Sequence, residues 1–332
     1  MIIGLDASGN FPAGGQGFES SAVAAATVPE KARANITAWT AGRSEAWNRA
    51  DLSELHANQL EPHERREVCG MLSARDDLHV AVIITSNLLL RSEEMVAGHR
   101  QRQLAVAEQA ATSAITEEGR RRGETAARLL DNQRVGRARM NDSSSIAAAM
   151  MPQVVMGAVQ RAFCFYAGDE WRSQMSQIAL MFDEDRRALM RYVKESFLAV
   201  LSDERFRLTT PSSWREEPVH PLLGRAAHPD GDGYASQELL SEAIAWTPSH
   251  NEPSVQVADF AAWVACRAVN RPEESEAREC YELLMPILVG AGGRCFECFS
   301  LGRNRPDDEI LYTHLPQGTQ PPEWLERLSV GA

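Results

Sequence analysis

Apolar runs and the polar breaks between them divide the chain into alternating strands and helices. Ile2, Ile3, Gly4 and Leu5 form a short apolar run stopped by Asp6-Ala7-Ser8-Gly9-Asn10, which predicts a strand followed by a turn. Residues 22–28 are small and apolar and end at Pro29, a second strand. Residues 78–85, Leu-His-Val-Ala-Val-Ile-Ile-Thr, are a nearly continuous β-branched run, the pattern of a strand buried on both faces. Residues 177–182 read as a fourth strand, ended by Asp183-Glu-Asp-Arg-Arg. Helices are predicted over 30–50, with Trp39 and Trp47 as anchors, and over 60–75, 146–166, 186–201, 254–270 and 281–289. Strands alternating with helices give an α/β fold, a sheet flanked by helices.

Between residues 91 and 139 the pattern changes. Apolar positions thin out, Ala, Gln, Glu and Arg dominate, and ten arginines face seven acids. This stretch reads as a long helical insertion, closed by the polar break Asn141-Asp-Ser-Ser-Ser. Residues 207–236, rich in Pro, Gly and polar groups, read as a loop. The expected organisation is a core built from 1–90 and 140–270, an Arg-rich insertion at 91–139 and a C-terminal extension at 271–332.

Charge and cysteine content narrow the function classes. The 332 residues carry 34 Lys and Arg against 46 Asp and Glu, a net charge of −12. Whole-surface attraction to nucleic acid is therefore excluded, and any such binding needs a local basic patch. Arg120, Arg121 and Arg122 are the candidate patch for gripping phosphates; a solvated helical face laced with Glu accounts for them equally well. Six scattered cysteines in a chain of this size do not make a disulfide scaffold. Cys295 and Cys298 form a single C-x-x-C with no second close pair, so no zinc site is expected there. Gly14-Gly15-Gln16-Gly17 lacks the Lys-Ser/Thr of a phosphate loop, and Asp230-Gly-Asp232-Gly lacks the closing ligands of a calcium loop. The opening residues have no basic n-region, and the apolar run at 146–166 is broken by Pro152, Gln153, Gly157, Gln160 and Arg161. A cytoplasmic protein with no membrane partner is the expectation.

Four carboxylates invite a chemical reading. Asp6 and Asp183 each end a strand, and Asp259 lies mid-helix among Val255, Val257, Ala258, Phe260, Ala261 and Ala262. A buried acid must meet a metal, a cation or hydrogen-bond donors. Gln256, three residues earlier, is a candidate donor to Asp259. Glu54, with His56 two residues on, is the fourth acid. Each has a plain structural alternative: Asp6 as a turn former, Asp183 as a helix N-cap, Glu54 as a surface acid, Asp259 as a tie for a neighbouring loop. His56 and His63 read first as a solvated helix face.

The order of these acids, with their neighbours, resembles the RNase H-like family of unknown function numbered 3800. The resemblance runs from residue 1 to about 270 and rests on four elements. Asp6-Ala7-Ser8-Gly9-Asn10 is similar to the family's Asp-Glu-Ser-Gly turn, and Glu54-Leu55-His56-Ala57 to its Glu-x-(Lys/His) element. Ile178-Ala-Leu-Met-Phe-Asp183 matches its strand ending in Asp, and Gln256-Val257-Ala258-Asp259 its Gln-x-Ala-Asp helix. Ala7 stands where the family usually has Glu. The resemblance implies an RNase H-like mixed sheet in which Asp6, Glu54, Asp183 and Asp259 hold two divalent ions, Mg²⁺ or Mn²⁺. It implies a nuclease that hydrolyses DNA or RNA, with Ser8 and Asn10 placed to contact a phosphate. The alternative is a non-catalytic RNase H-like subunit that binds nucleic acid or a protein partner in a defence or mobile-element system.

Overall fold

The three strand-like runs nearest the N-terminus pair as an antiparallel meander. Strand β1 (Ile2–Ser8) lies against β2 (Ser20–Val28), with Asp6 opposite Ala24, and β2 lies against β3 (His79–Ser86), with Ala24 opposite Val82. Strand β4 (Ala179–Asp183) adds parallel to the free edge of β1, with Leu5 beside Phe182. Strand β5 (Ile244–Thr247) adds parallel to β4, with Asp183 beside Thr247. The result is a five-stranded mixed sheet in the order β5-β4-β1-β2-β3, extended beyond β3 by a two-residue parallel strand β6 (Glu297–Cys298). The computed structural model describes residues 1–9, 11, 19–49, 54–90, 92–114, 117–131, 142–166, 174, 178–183, 191–195, 244–288, 297–299 and 301. Asn10, the turn at 14–17, the loop at 207–236, Cys295 and all but 191–195 of the helix expected at 186–201 lie outside the described residues.

Helices cover both faces, and strand parity assigns each side chain to one of them. Ile3, Leu5, Ala7, Val23, Ala25, Ala81, Ile83, Leu180 and Phe182 point to one face. That face meets the buried helix α6 (Asp142–Phe165) and, beyond it, α4 (Glu93–Ser113) and α5 (Glu117–Leu130). The last two are paired helices within the 91–139 stretch, joined to β3 through the short α3 (Asn87–Leu90). Ala22, Ala24, Ala26, Val28, Val80, Val82 and Ile84 point to the other face. There α7 (Pro253–Asn270) lies across β1 and β2, flanked by α1 (Glu30–Ala46), α2 (Pro62–Ser73) and α8 (Ser275–Leu284). No helix among the described residues is long and apolar enough to cross a membrane.

Boundaries depart from the sequence reading where one residue decides them. Helix α1 stops at Ala46, because Asn48 adopts a left-handed conformation (φ 54°) just past the helix end. Helix α8 begins at Ser275 rather than 281. Its buried positions Ala277, Cys280, Tyr281 and Leu284 follow helical spacing, and Pro286 converts the continuation into a 3₁₀ turn (Met285–Ile287). Beyond residue 270, α8 packs on α2 and α7.

The seating of α7 follows from two features. The close approach is made at Gly4, where an added Cβ would lie 2.1 Å from the carbonyl carbon of Ser254 and 2.4 Å from the nitrogen of Val255. The start of the helix is held by Glu252, whose carboxylate accepts from the Ser254 N–H at 3.1 Å and from the Ser254 hydroxyl at 2.8 Å. The same carboxylate takes a two-pronged ion pair from Arg33 of α1, at 3.0 and 2.6 Å. An acid at the N-cap also complements the helix dipole.

At the entry to β3 a buried imidazole makes the fold acid-sensitive. Burial pushes the His79 pKa down to about 3, with the nearby Asp77 charge opposing the shift. Tyr166 stands beside it at 5.6 Å between ring centroids and donates its hydroxyl to the Asp77 carbonyl at 2.6 Å. His79 is thus neutral in the folded protein and takes up a proton on unfolding below its ordinary pKa of about 6.5. Its contribution to stability is complete above that value and is lost as pH falls towards 3, with a slope of up to about 1.4 kcal/mol per pH unit. Urea denaturation across this range should show the slope in the wild type, and His79→Gln should flatten it; an equal slope in both proteins rejects this origin.

Candidate active site

Three elements carry acids to one end of the α7 face. Asp6 lies near the C-terminal end of β1, between Leu5 and Ala7 of the α6-side core, so it points to the α7 side. It is 8% exposed, and one carboxylate oxygen accepts the Ala7 N–H at 2.6 Å. Asp183 ends β4 one residue beyond Phe182, which is level with Leu5. By register it therefore stands abreast of Asp6 on the adjacent parallel strand, facing the same way. Asp259 lies one turn into α7, the helix that Gly4 admits onto this face.

The fourth acid arrives on irregular chain. Glu54 precedes the 3₁₀ turn Ala57–Gln59, and one of its oxygens accepts the Ser249 hydroxyl at 2.6 Å. Ser249 begins a second 3₁₀ turn (Ser249–Asn251) immediately before α7. Gln256, buried in the first turns of α7, connects the two turns. Its oxygen accepts the Leu55 N–H at 3.0 Å, and its nitrogen donates to the Ser249 carbonyl at 3.0 Å. The expected Gln256–Asp259 contact is therefore replaced: the Gln256 amide is taken up by backbone on either side of it.

The partner of Asp259 is instead His56. Its Nδ1 lies 2.6 Å from a carboxylate oxygen of Asp259, with the imidazole 37% and the carboxylate 14% exposed. This corrects the solvated-face reading of His56, although His63, on α2, is exposed as expected. The hydrogen bond to Asp259 raises the His56 pKa. Partial burial opposes it, and the charges of Asp259, Glu54 and Asp6 reinforce it. One half-exposed imidazole thus senses three of the four acids. The pairings of His56 with Asp259 and of Ser249 with Glu54 are not legible in the sequence, because each joins residues about two hundred positions apart.

The remaining sequence candidates fall elsewhere. Ser8 ends β1 on this face, and its carbonyl accepts from the Cys266 thiol of α7. Arg120, Arg121 and Arg122 ride on α5, in the layer on the opposite side of the sheet, and are not brought to the acids. Arg120 pairs with Glu117 one turn back, Arg122 pairs with Glu195 at 3.4 Å, and Arg121 is exposed. Ala7 is buried among the α6-side core residues. An acid at position 7 would therefore lie on the face of the sheet opposite to Asp6.

Asp, Glu and His are the donor types that hard divalent ions take. Asp6, Glu54 and Asp259 each have one oxygen engaged by a protein donor, and among the described residues no three His, Cys, Asp or Glu side chains close to ligation range. No protein-family model, curated protein or solved structure matches the chain.

Proposed function

We propose that this chain is an RNase H-like, divalent-metal-dependent nuclease, and that Asp6, Glu54, Asp183 and Asp259 are its metal-binding carboxylates. The observation that carries the reading is the convergence of acids from β1, β4, α7 and the 54–56 segment at one end of the α7 face. The strand order adds support: an antiparallel meander extended by two parallel strands on the first strand's free edge is the arrangement of an RNase H-like core. Divalent ions held there would supply an activated water and charge stabilisation at the leaving oxygen.

The chain's own residues do the rest. The β1 and β4 backbones fix Asp6 and Asp183 side by side, so the spacing of two donors is set by the sheet itself. Helix α7, held down by Glu252 and Arg33, sets the height of Asp259 above them. His56 keeps one Asp259 oxygen turned to itself, and so orients the carboxylate. The half-exposed His56 leaves this end of the face accessible to a phosphodiester.

A second reading, a non-catalytic subunit that binds nucleic acid or a protein partner, is favoured by the acids' own partners: Asp6, Glu54 and Asp259 each already give an oxygen to a protein donor. One assay separates the readings. The full chain is incubated with single- and double-stranded DNA and RNA in Mn²⁺, in Mg²⁺ and in EDTA. Cleavage with either ion that EDTA stops is the expected result. Binding of any of these nucleic acids without cleavage would give the second reading, and neither binding nor cleavage would reject both as nucleic-acid functions.

A further inference from the structure

Glu54 is the one proposed ligand that no regular element carries. It sits on irregular chain between α1 and α2, whereas the other three are fixed by a strand or a helix. Something must hold it towards α7. Three bonds meet there: Leu55 N–H to the Gln256 oxygen at 3.0 Å, the Gln256 nitrogen to the Ser249 carbonyl at 3.0 Å, and the Ser249 hydroxyl to the Glu54 carboxylate at 2.6 Å. They close a ring in which the Gln256 amide grips the backbone next to Glu54 with one end and the turn that supports its carboxylate with the other. The amide is buried, 6% exposed, and the ring uses its acceptor and its donor at once. A glutamine is required because a carboxylate could not donate to the Ser249 carbonyl, and an ammonium group could not accept the Leu55 N–H.

We infer that Gln256 is a positioning residue that clips the Glu54 segment to α7 and so sets where the Glu54 carboxylate stands relative to Asp259. The glutamine three residues ahead of Asp259 thereby couples one acid on irregular chain to another on a helix. This role rests on the reading of Glu54 as a metal ligand, and the test keeps the two apart.

The experiment uses the full chain, Mn²⁺ alone as the probe, and two readouts. Calorimetric titration of Gln256→Met, which keeps the bulk and loses both hydrogen bonds, should show Mn²⁺ affinity reduced about tenfold, as for other groups that orient metal ligands. The same substitution in a Glu54→Gln background should change the affinity less than about twofold, because its effect runs through Glu54. Amide hydrogen exchange, without metal, should show Leu55 losing protection in Gln256→Met while the middle of α7 keeps its own. A purely structural Gln256 predicts the opposite: an equal affinity change in both backgrounds, or an unaltered Leu55 amide, and either overturns the inference. Should Gln256→Met fail to fold, Ser249→Ala removes the last bond of the ring alone. It should lower Mn²⁺ affinity only where Glu54 is present; an equal loss in both backgrounds, or none, counts against the ring. A wild type that takes up no Mn²⁺ sinks the metal reading, and Leu55 exchange then decides the clip by itself.

Discussion

Asp6→Asn and Asp259→Asn should each lower Mn²⁺-dependent cleavage by about a hundredfold or more while leaving the fold intact. Replacing a ligand carboxylate by the isosteric amide removes the charge that holds a divalent ion and keeps the shape, so the loss should not come from misfolding. Both positions allow this. The Asp6 oxygen that accepts the Ala7 N–H can be reproduced by an amide oxygen, and the bond from His56 to Asp259 can likewise be accepted by Asn. Combining the two changes should cost little more than either alone, because ligands of one ion act as a unit. Assays of both single variants and the double, with melting curves as the fold control, decide the matter. Full activity in either single variant would remove that residue from the site. Multiplicative losses would mean that the two acids do not serve a common ion.

The sequence makes some of this arrangement legible and hides the rest for physical reasons. The β3 run and the apolar α7 stand out because burial on both sides demands unbroken apolar residues, and no loop tolerates them. Asp259 stands out for the converse reason: an acid in such a helix must have a partner. Who that partner is does not follow, because the nearest polar neighbour on the helix, Gln256, turned out to serve the Leu55 and Ser249 backbone instead. The His56 partnership depends on how the turn after Glu54 folds back onto α7, a contact spanning 203 positions that local pattern cannot report. Strand β5 is not legible because Ile-Ala-Trp-Thr is four residues long, and only pairing with β4 makes it a strand. The insertion was legible as helical, but not as a pair of helices lying on the α6 side of the sheet, away from the acids.

Gly4→Ala should be among the most damaging single-methyl changes in this protein. In sequence Gly4 is an unremarked member of an apolar strand, and a strand ordinarily prefers Ala to Gly. In the folded chain the added methyl would have to occupy space 2.1–2.4 Å from the Ser254 and Val255 backbone, where no side-chain rotation can relieve it. Helix α7 must lift off β1 or the strand must buckle. Such overpacking costs about 3 kcal/mol, equivalent to a fall of roughly 4 °C in melting temperature for a chain of this size. Gly42→Ala makes the control: it lies in α1 with nothing within 4 Å of the new methyl, and should instead stabilise by about 0.5–1 kcal/mol. The functional consequence separates a site built across β1 and α7 from one confined to the sheet. If α7 lifts, Asp259 and the Gln256 clip move away from Asp6, so Mn²⁺ affinity should fall even at temperatures where the variant is fully folded. If metal binding needed only the sheet acids Asp6 and Asp183, Gly4→Ala would melt early yet bind Mn²⁺ as the wild type does. Calorimetric titration at least 20 °C below the variant's melting point, beside the same measurement on Gly42→Ala, distinguishes the two.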